Sequence, residues 1–436
     1  MLACTVAPAR DADTKAPAQP YLGPPREPGQ PVISAAAAVL LDGDSGEVLW
    51  SWQPDQRMYP ASLTKMMSGL LAVEDGNLDR RVTASKAAAA TGESSIALAA
   101  GEELTIRQVL QAALIKSAND ATVMLAEAVG GSVEQFVARM NARAAVLGMT
   151  RTHFTNPHGL HDAEHYSTAR DLGRLAWEAM RHPDFAEVVG TRETNIPWPA
   201  KPWDRKLVNR NRLLLRWVAC DGIKTGYTRQ AGRCLAASAV ENDWRLICVV
   251  LNCKDSWQDA QSLLEWGFAH FSHVRLAAAG APDYRVPVRW GRRSSVVARA
   301  ERDLVANYRT GQAPPTLQQT DEEVRAPVRM GDPVGWVWIE QGEGQRMVRL
   351  LACEDVPLSL LGAVAASRLP QVGLLVLIAL AAGVLLHGAG AKTARARRRR
   401  LAARERKAHP AGESDGGRGD GRARVPSRSG PPDHLS

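Results

Sequence analysis

The sequence predicts an α+β fold, with helices covering the faces of a sheet, followed by a small all-β domain and a C-terminal transmembrane helix. Three observations carry this. Strand patterns flank a long helical stretch between Ile33 and Phe271, alternation of period two takes over from Tyr284, and Leu369 to Ala391 runs without Asp, Glu, Lys or Arg. At 436 residues the chain exceeds one ordinary domain, so two folded units with tails are expected.

Residues 1–30 are rich in proline and lack apolar periodicity, which predicts a linker arm. The predicted α+β domain spans 31–275. It opens with a hairpin, because the apolar run from Ile33 and Gly46-Glu47-Val48-Leu49-Trp50 read as two strands. Helical patterns follow from Pro60 to about Leu147, and strands return at Cys220, Cys234–Ser238 and Leu246–Leu251. An amphipathic helix from Asp259 to Phe271 closes the domain. Helices gathered between two groups of strands imply a sheet with helices on its faces. Residues 283–356 form the predicted β domain, where Tyr284–Trp290, Val324–Val328 and Val334–Ile339 alternate and Gly331-Asp332 marks a turn.

The apolar run over 369–391 is long enough to span a bilayer, and soluble helices seldom lack a polar face over such a length. The tail 392–436 carries 13 Lys/Arg against 5 Asp/Glu, the whole of the net +8. By the positive-inside rule this tail is cytoplasmic and the folded domains lie on the other side, in a single-pass cell-membrane protein. The part before the tail is formally neutral and suggests no nucleic acid as partner. Past Lys407 the composition predicts disorder. Met1 to Ala7 offers no secretory signal, so a start further upstream is expected. The six cysteines suggest neither a disulfide frame nor a metal site.

Three motifs stand in order through the α+β domain: Ser62-Leu63-Thr64-Lys65, Ser117-Ala118-Asn119 and Lys224-Thr225-Gly226. A serine hydroxyl is a poor nucleophile at neutral pH and needs a neighbouring base. Three residues along a helix is nearly one turn, so Ser62 and Lys65 share a face. Burial and a second cation such as Lys224 would lower the Lys65 pKa enough for it to act as that base. The first turn of the helix also offers free backbone N–H groups for a developing oxyanion. Ser117 would relay a proton to the leaving amine, and Asn119 would bind the substrate backbone. Lys224 and Thr225 on a strand suit a substrate carboxylate, and Gly226 admits close approach of a substrate strand. Each motif alone has a plain equivalent: a helix start, a helix cap, a turn with a surface lysine. Their conjunction in this order points to a serine acyl-enzyme.

From Ile33 to about Val356 the sequence resembles the low-molecular-mass penicillin-binding proteins of the serine D-alanyl-D-alanine carboxypeptidase family, peptidase S11. The likeness includes Phe154-Thr155-Asn156-Pro157-His158-Gly159-Leu160, His165-Tyr166-Ser167, Asn209-Arg210-Asn211 and Leu263-Leu264-Glu265-Trp266-Gly267-Phe268. The resemblance implies the serine β-lactamase and penicillin-binding-protein fold. It implies Ser62 as nucleophile, Lys65 as base, Ser117 as relay and Asn119 as binder. Lys224, with Thr225 and Gly226, would anchor the carboxylate, and the backbone N–H groups of Ser62 and Tyr227 would form the oxyanion hole. The implied partners are a peptidoglycan stem peptide and, as covalent inhibitors, β-lactams; no cofactor or metal is implied.

Two departures stand out. Tyr227 replaces the His of many relatives. Asn252-Cys253-Lys254-Asp255-Ser256-Trp257-Gln258-Asp259 lacks the Arg that many carry there to support the terminal carboxylate, a variant resembling the sporulation-associated branch. A D,D-endopeptidase using the same residues and a low-activity penicillin-binding wall protein stay open as alternatives. A β-lactamase is set aside, because Glu164, the nearest deacylating glutamate, lacks the flanks of that loop. His161-x-x-Glu164-His165 matches an inverted zinc-protease motif, but Pro157-His158-Gly159 just upstream argues for loop rather than helix.

Overall fold

Local chemistry sets most element boundaries in the computed structural model, which describes residues 29–341, 344–366, 376 and 378–382. Strands β1 (Ala37–Asp42) and β2 (Val48–Trp52) form the N-terminal hairpin. A 3-10 turn, Ala61–Thr64, leads into α1 (Lys65–Asp75), which stops where Gly76 turns left-handed at φ +77°. Then come β3 (Arg81–Thr83), α2 (Lys86–Ala89), β4 (Glu103–Thr105) and α3 (Ile106–Ile115). A capping box of Thr105 and Gln108 starts α3. Next are α4 (Asn119–Gly130), α5 (Val133–Val146) capped by Ser132, and α6 (Ala169–Met180) capped by Thr168. Pro183 opens α7 (Pro183–Gly190), followed by β5 (Glu193–Ile196), β6 (Arg205–Val208) and α8 (Arg212–Arg216).

The closing strands are β7 (Cys220–Thr228), β8 (Gly232–Glu241) and β9 (Trp244–Cys253). Asn242 and Asp243, both at positive φ, make the tight turn between the last two. Asp255 caps α9 (Ser256–His270), which therefore begins three residues before the helix expected from Asp259. The antiparallel sheet runs β2-β1-β9-β8-β7, so β1 is sandwiched between its hairpin partner and β9, and β7 is an edge. Alternate side chains serve two cores. Val39, Leu41, Val249 and Leu251 join the helical layer of α1, α3, α4 and α6 on one face. Leu40, Cys248 and Val250 pack with Leu263 and Leu264 of α9 on the other. Burial on both faces explains why these strands read as unbroken apolar runs.

The chain divides into two compact units. One runs to Val286 and adds Val296–Glu322 and Met330–Glu354; the other holds Pro287–Ser295, Glu323–Arg329 and the described residues from Asp355. After α9 come β10 (Phe271–Ala277), β11 (Tyr284–Arg289), β12 (Ser295–Ala300), β13 (Leu304–Arg309), β14 (Gln318–Gln319), β15 (Val324–Arg325), β16 (Pro333–Gln341) and β17 (Gly344–Ala352). In the first unit β10 pairs with β13, and four strands run in the order β14-β16-β17-β12. In the second, Val288 and Arg289 pair in parallel with Val324 and Arg325, Val328 bridges to Val356, and α10 (Leu360–Ala366) ends the described helices before 376. The expected arm falls almost wholly outside the described residues, as does the tail 392–436, and the expected span over 369–391 lies mostly outside them. Among the described residues no helix is long and apolar enough to cross a membrane.

Candidate active site

Ala61 occupies the left-handed region at φ +48°, a strain of roughly 1 kcal/mol for a residue with a Cβ. That turn delivers Ser62 to the start of α1. Lys65 follows one turn later, fully buried, with Nζ 3.0 Å from Ser62 Oγ. Its other two protons go to Asn119 Oδ1 at 2.8 Å and the His158 carbonyl at 2.7 Å. The loop carrying His158 is built for this. The Gly159 N–H donates to Asn156 Oδ1 at 2.7 Å, and Ser68 Oγ of α1 donates to the Pro157 carbonyl at 2.6 Å.

His165 braces the same turn. Its Nδ1 accepts the Thr155 N–H at 3.0 Å, so the neutral ring carries its proton on Nε2 and donates to Thr64 Oγ1 at 2.7 Å. Thr64 Oγ1 in turn donates to the Ala61 carbonyl at 2.8 Å. Both ring nitrogens are therefore used, which removes His165 as a metal ligand. His161 instead packs edge-on against Tyr59, and Glu164 points outward beside Arg57 at 3.7 Å. The residues of the zinc-like pattern lie in a loop, as Pro157 and Gly159 imply. Two other clusters, Asp42/Asp44/His273 and Glu74/Glu178/His182, have ligand atoms close enough for a cation. Each is already tied by ion pairs, His273 to Asp44 at 3.2 Å and Arg143 to Glu74 and Glu178 at 2.6 and 2.7 Å.

Ser117 closes α3 at φ +62°, and Asn119 opens α4. Asp120, unremarked in the sequence, accepts from Ser95 Oγ at 2.7 Å and from the Ile96 and Leu98 N–H groups, and so ties loop 94–98 to α4. Lys224 on β7 is buried and donates to Ser117 Oγ at 2.9 Å and to the Thr225 carbonyl at 3.0 Å. Gly226, which lines the cleft, also serves the packing of the serine turn. A Cβ there would meet the Pro60 carbonyl at 3.1 Å and Ala61 Cβ at 3.3 Å, so its bareness lets β7 close on the serine turn.

Burial is the main force on the charges. Desolvation first, then the Lys224 ammonium, hold the Lys65 pKa well below its usual value. Lys224 is lowered to about 7 by burial and then by Arg210. His158 falls to about 3 and His165 to about 4, mainly by burial, so both are neutral at physiological pH. Burial pushes the thiols up, Cys220 to about 11 and Cys234 to about 12, which leaves them inert.

A cleft of about 450 Å³ opens over Ser62. Ser117, Asn119, Thr225, Gly226 and Tyr227 line it, while Lys65 and Lys224 sit behind its wall. Asn119 spends Oδ1 on Lys65 and one amide proton on Gly92, leaving its second proton for a substrate. Tyr227 is 65 % exposed on the edge strand. Arg210, Arg212, Arg233 and Trp257 also line the cleft, and sequence reading assigned none of them a role. Arg210 and Arg212 belong to the segment Asn209–Leu214 and Trp257 to the segment Asn252–Asp259, both marked by the resemblance, whereas Arg233 belongs to neither.

Comparison with known proteins agrees with this geometry. The sequence profile of the D-alanyl-D-alanine carboxypeptidase family, peptidase S11, matches residues 25–255. The chain is 33 % identical over 336 residues to the D-alanyl-D-alanine carboxypeptidase DacF of Bacillus subtilis, covering 74 % of this chain and 86 % of that one. It is 34 % identical over 351 residues to DacC of Escherichia coli, covering 75 % and 85 %. Penicillin-binding protein 5 from Haemophilus influenzae superposes with a TM-score of 0.64 at 31 % identity, over 75 % of this chain and 99 % of that one. With its three motifs gathered at one cleft, the chain belongs to the peptidase S11 family of serine D-alanyl-D-alanine carboxypeptidases.

Proposed function

We propose that this D,D-carboxypeptidase removes the terminal D-Ala of peptidoglycan stem peptides with Ser62 as nucleophile and Lys65 as base. The observation that carries the assignment is the bonding of Lys65 Nζ to Ser62 Oγ at 3.0 Å. Neutral Lys65 takes the Ser62 proton as Oγ attacks the penultimate D-Ala carbonyl. Backbone N–H groups of Ser62 and Tyr227 receive the oxyanion. The proton passes through Ser117, held by Lys224, to the amide nitrogen as the C–N bond breaks, and D-Ala leaves. Water then attacks the Ser62 ester, gives its proton back through Lys65 and frees the shortened stem. The substrate lies along the edge strand β7, whose outer backbone groups are open to pair with it.

The same reading extends to β-lactams, whose strained amide mimics the scissile bond and acylates Ser62. It also includes a membrane anchor, supported by the uncharged run 369–391 and the arginines that follow, with the catalytic unit outside the cytoplasm. The test is mass spectrometry of the β-lactam-treated protein, with a covalent adduct expected on the peptide containing Ser62 and none in Ser62→Ala. Labelling that persists in the variant refutes the nucleophile. Free D-Ala from a stem pentapeptide supports the carboxypeptidase role, whereas cleavage of a cross-linked dimer alone would make the enzyme an endopeptidase.

A further inference from the structure

The cleft is cationic beyond its catalytic lysines. Arg210, Arg212 and Arg233 line it, all exposed, and among the described residues no carboxylate lies within ion-pair distance of any of them. Glu93 is the one acidic residue of the lining. Two of the arginines are tied to the start of α9. The Arg212 guanidinium lies 4.6 Å over the Trp257 ring. Arg233 sits opposite Tyr227 across the β7–β8 ladder and donates one proton to the Lys254 carbonyl, just before the helix that carries Trp257. The nearest acid on that helix, Asp255, is occupied in capping the Trp257 and Gln258 N–H groups.

A free carboxylate at the end of the substrate is held most firmly by a permanent positive charge. Lys224 is poorly placed to supply it. Two of its three protons are spent on Ser117 and Thr225, it sits behind the cleft wall, and burial leaves it only partly protonated at neutral pH. The segment 252–259 contributes no arginine of its own. Guanidinium groups keep their charge at any physiological pH and fork onto a carboxylate. We propose that Arg212 and Arg233, which line the cleft and are both tied to the start of α9, receive the terminal carboxylate of the stem peptide. This rests on the carboxypeptidase reading above and names the residues that make it selective for a free C-terminus.

The experiment measures kcat and KM with three synthetic stem peptides: one ending in free D-Ala-D-Ala, one ending in the carboxamide, and one with the third-residue side-chain carboxylate amidated. Wild type is compared with Arg212→Gln, Arg233→Gln, the double variant and the two Arg→Lys variants, with thermal melting to confirm folding. Each Gln variant is expected to lower kcat/KM on the free acid by about 10- to 100-fold, chiefly through KM, the range for a hydrogen bond to a charged group. Lys should restore part of it, and the preference for acid over carboxamide should shrink in step. An unchanged preference in the folded double variant overturns the proposal. So does a loss that tracks the third-residue carboxylate instead. If wild type releases no D-Ala at all, the parent reading fails and takes this one with it.

Discussion

As an ammonium, Lys65 has three protons and meets three acceptors: Ser62 Oγ, Asn119 Oδ1 and the His158 carbonyl. Remove one proton and the two amide oxygens keep the remaining two, which leaves the lone pair aimed at the serine hydroxyl. Burial and the nearby Lys224 charge favour the neutral amine, and the two amide oxygens then orient its lone pair. Lys224 carries a comparable burden, because a buried ammonium lowers stability unless strongly paired. Its pKa is about 7 in the folded chain against 10.5 for the free side chain. Below about 7 both states bind the proton and the folded state bears the whole burial penalty. Between about 7 and 10.5 the unfolded chain binds a proton that the folded chain has released, so this residue makes stability rise with pH there. Lys224→Met, of similar volume, should therefore raise Tm by several degrees at pH 6.5, for a gain of about 1–3 kcal/mol, and abolish most acylation. The gain should fade towards pH 10; an equal gain at both pH values would show that the buried charge is not its source. Ser62, Lys65 and Lys224 were legible in the sequence because their chemistry lies in short fixed spacings. His165 and Arg233 were not, because each acquires its partners only through loops and strand register that no local pattern encodes.

At the scale of elements, the serine turn is held on one side by β7 and on the other by loop 155–160. Gly159, at φ +86°, lies so close to Ala61 that a Cβ would run into the Ala61 carbonyl, and its left-handed backbone disfavours any side chain. Gly159→Ala should push the loop off the turn, part the His158 carbonyl from Lys65, and lower acylation by about 100-fold, as small misplacements of catalytic groups do. A β-lactam titration of the folded variant checks this, and unimpaired acylation would mean the loop does not set the turn. The N-terminal hairpin and the strands of β7 to β9 were readable from their apolar runs and turns. The short pairs β3–β4 and β5–β6 were missed, since strands of three or four residues carry no usable period. The start of α9 was also missed, because Asp255 caps it before the apolar pattern begins.

Across the whole chain, charge and apolarity are segregated: the portion before residue 392 is formally neutral, and the tail carries the entire net +8. That segregation was visible in composition alone, whereas the division of the β region between two compact units was not, because it depends on which strands pair. An uncharged run of 23 residues set against an arginine cluster suits a membrane span whose basic end stays in the cytoplasm. The proposed catalytic residues all precede Phe271 and line or back a cleft within the first unit, so acylation should not depend on that run. A chain ending at Arg368 should then remain soluble without detergent and label with β-lactam at the wild-type rate, while the full chain should partition into detergent. In intact cells, added protease should cleave the catalytic unit and spare an epitope placed after Lys407. Cleavage of that epitope from outside would reverse the proposed orientation, and with it the placement of Ser62 on the side of the membrane where peptidoglycan is found.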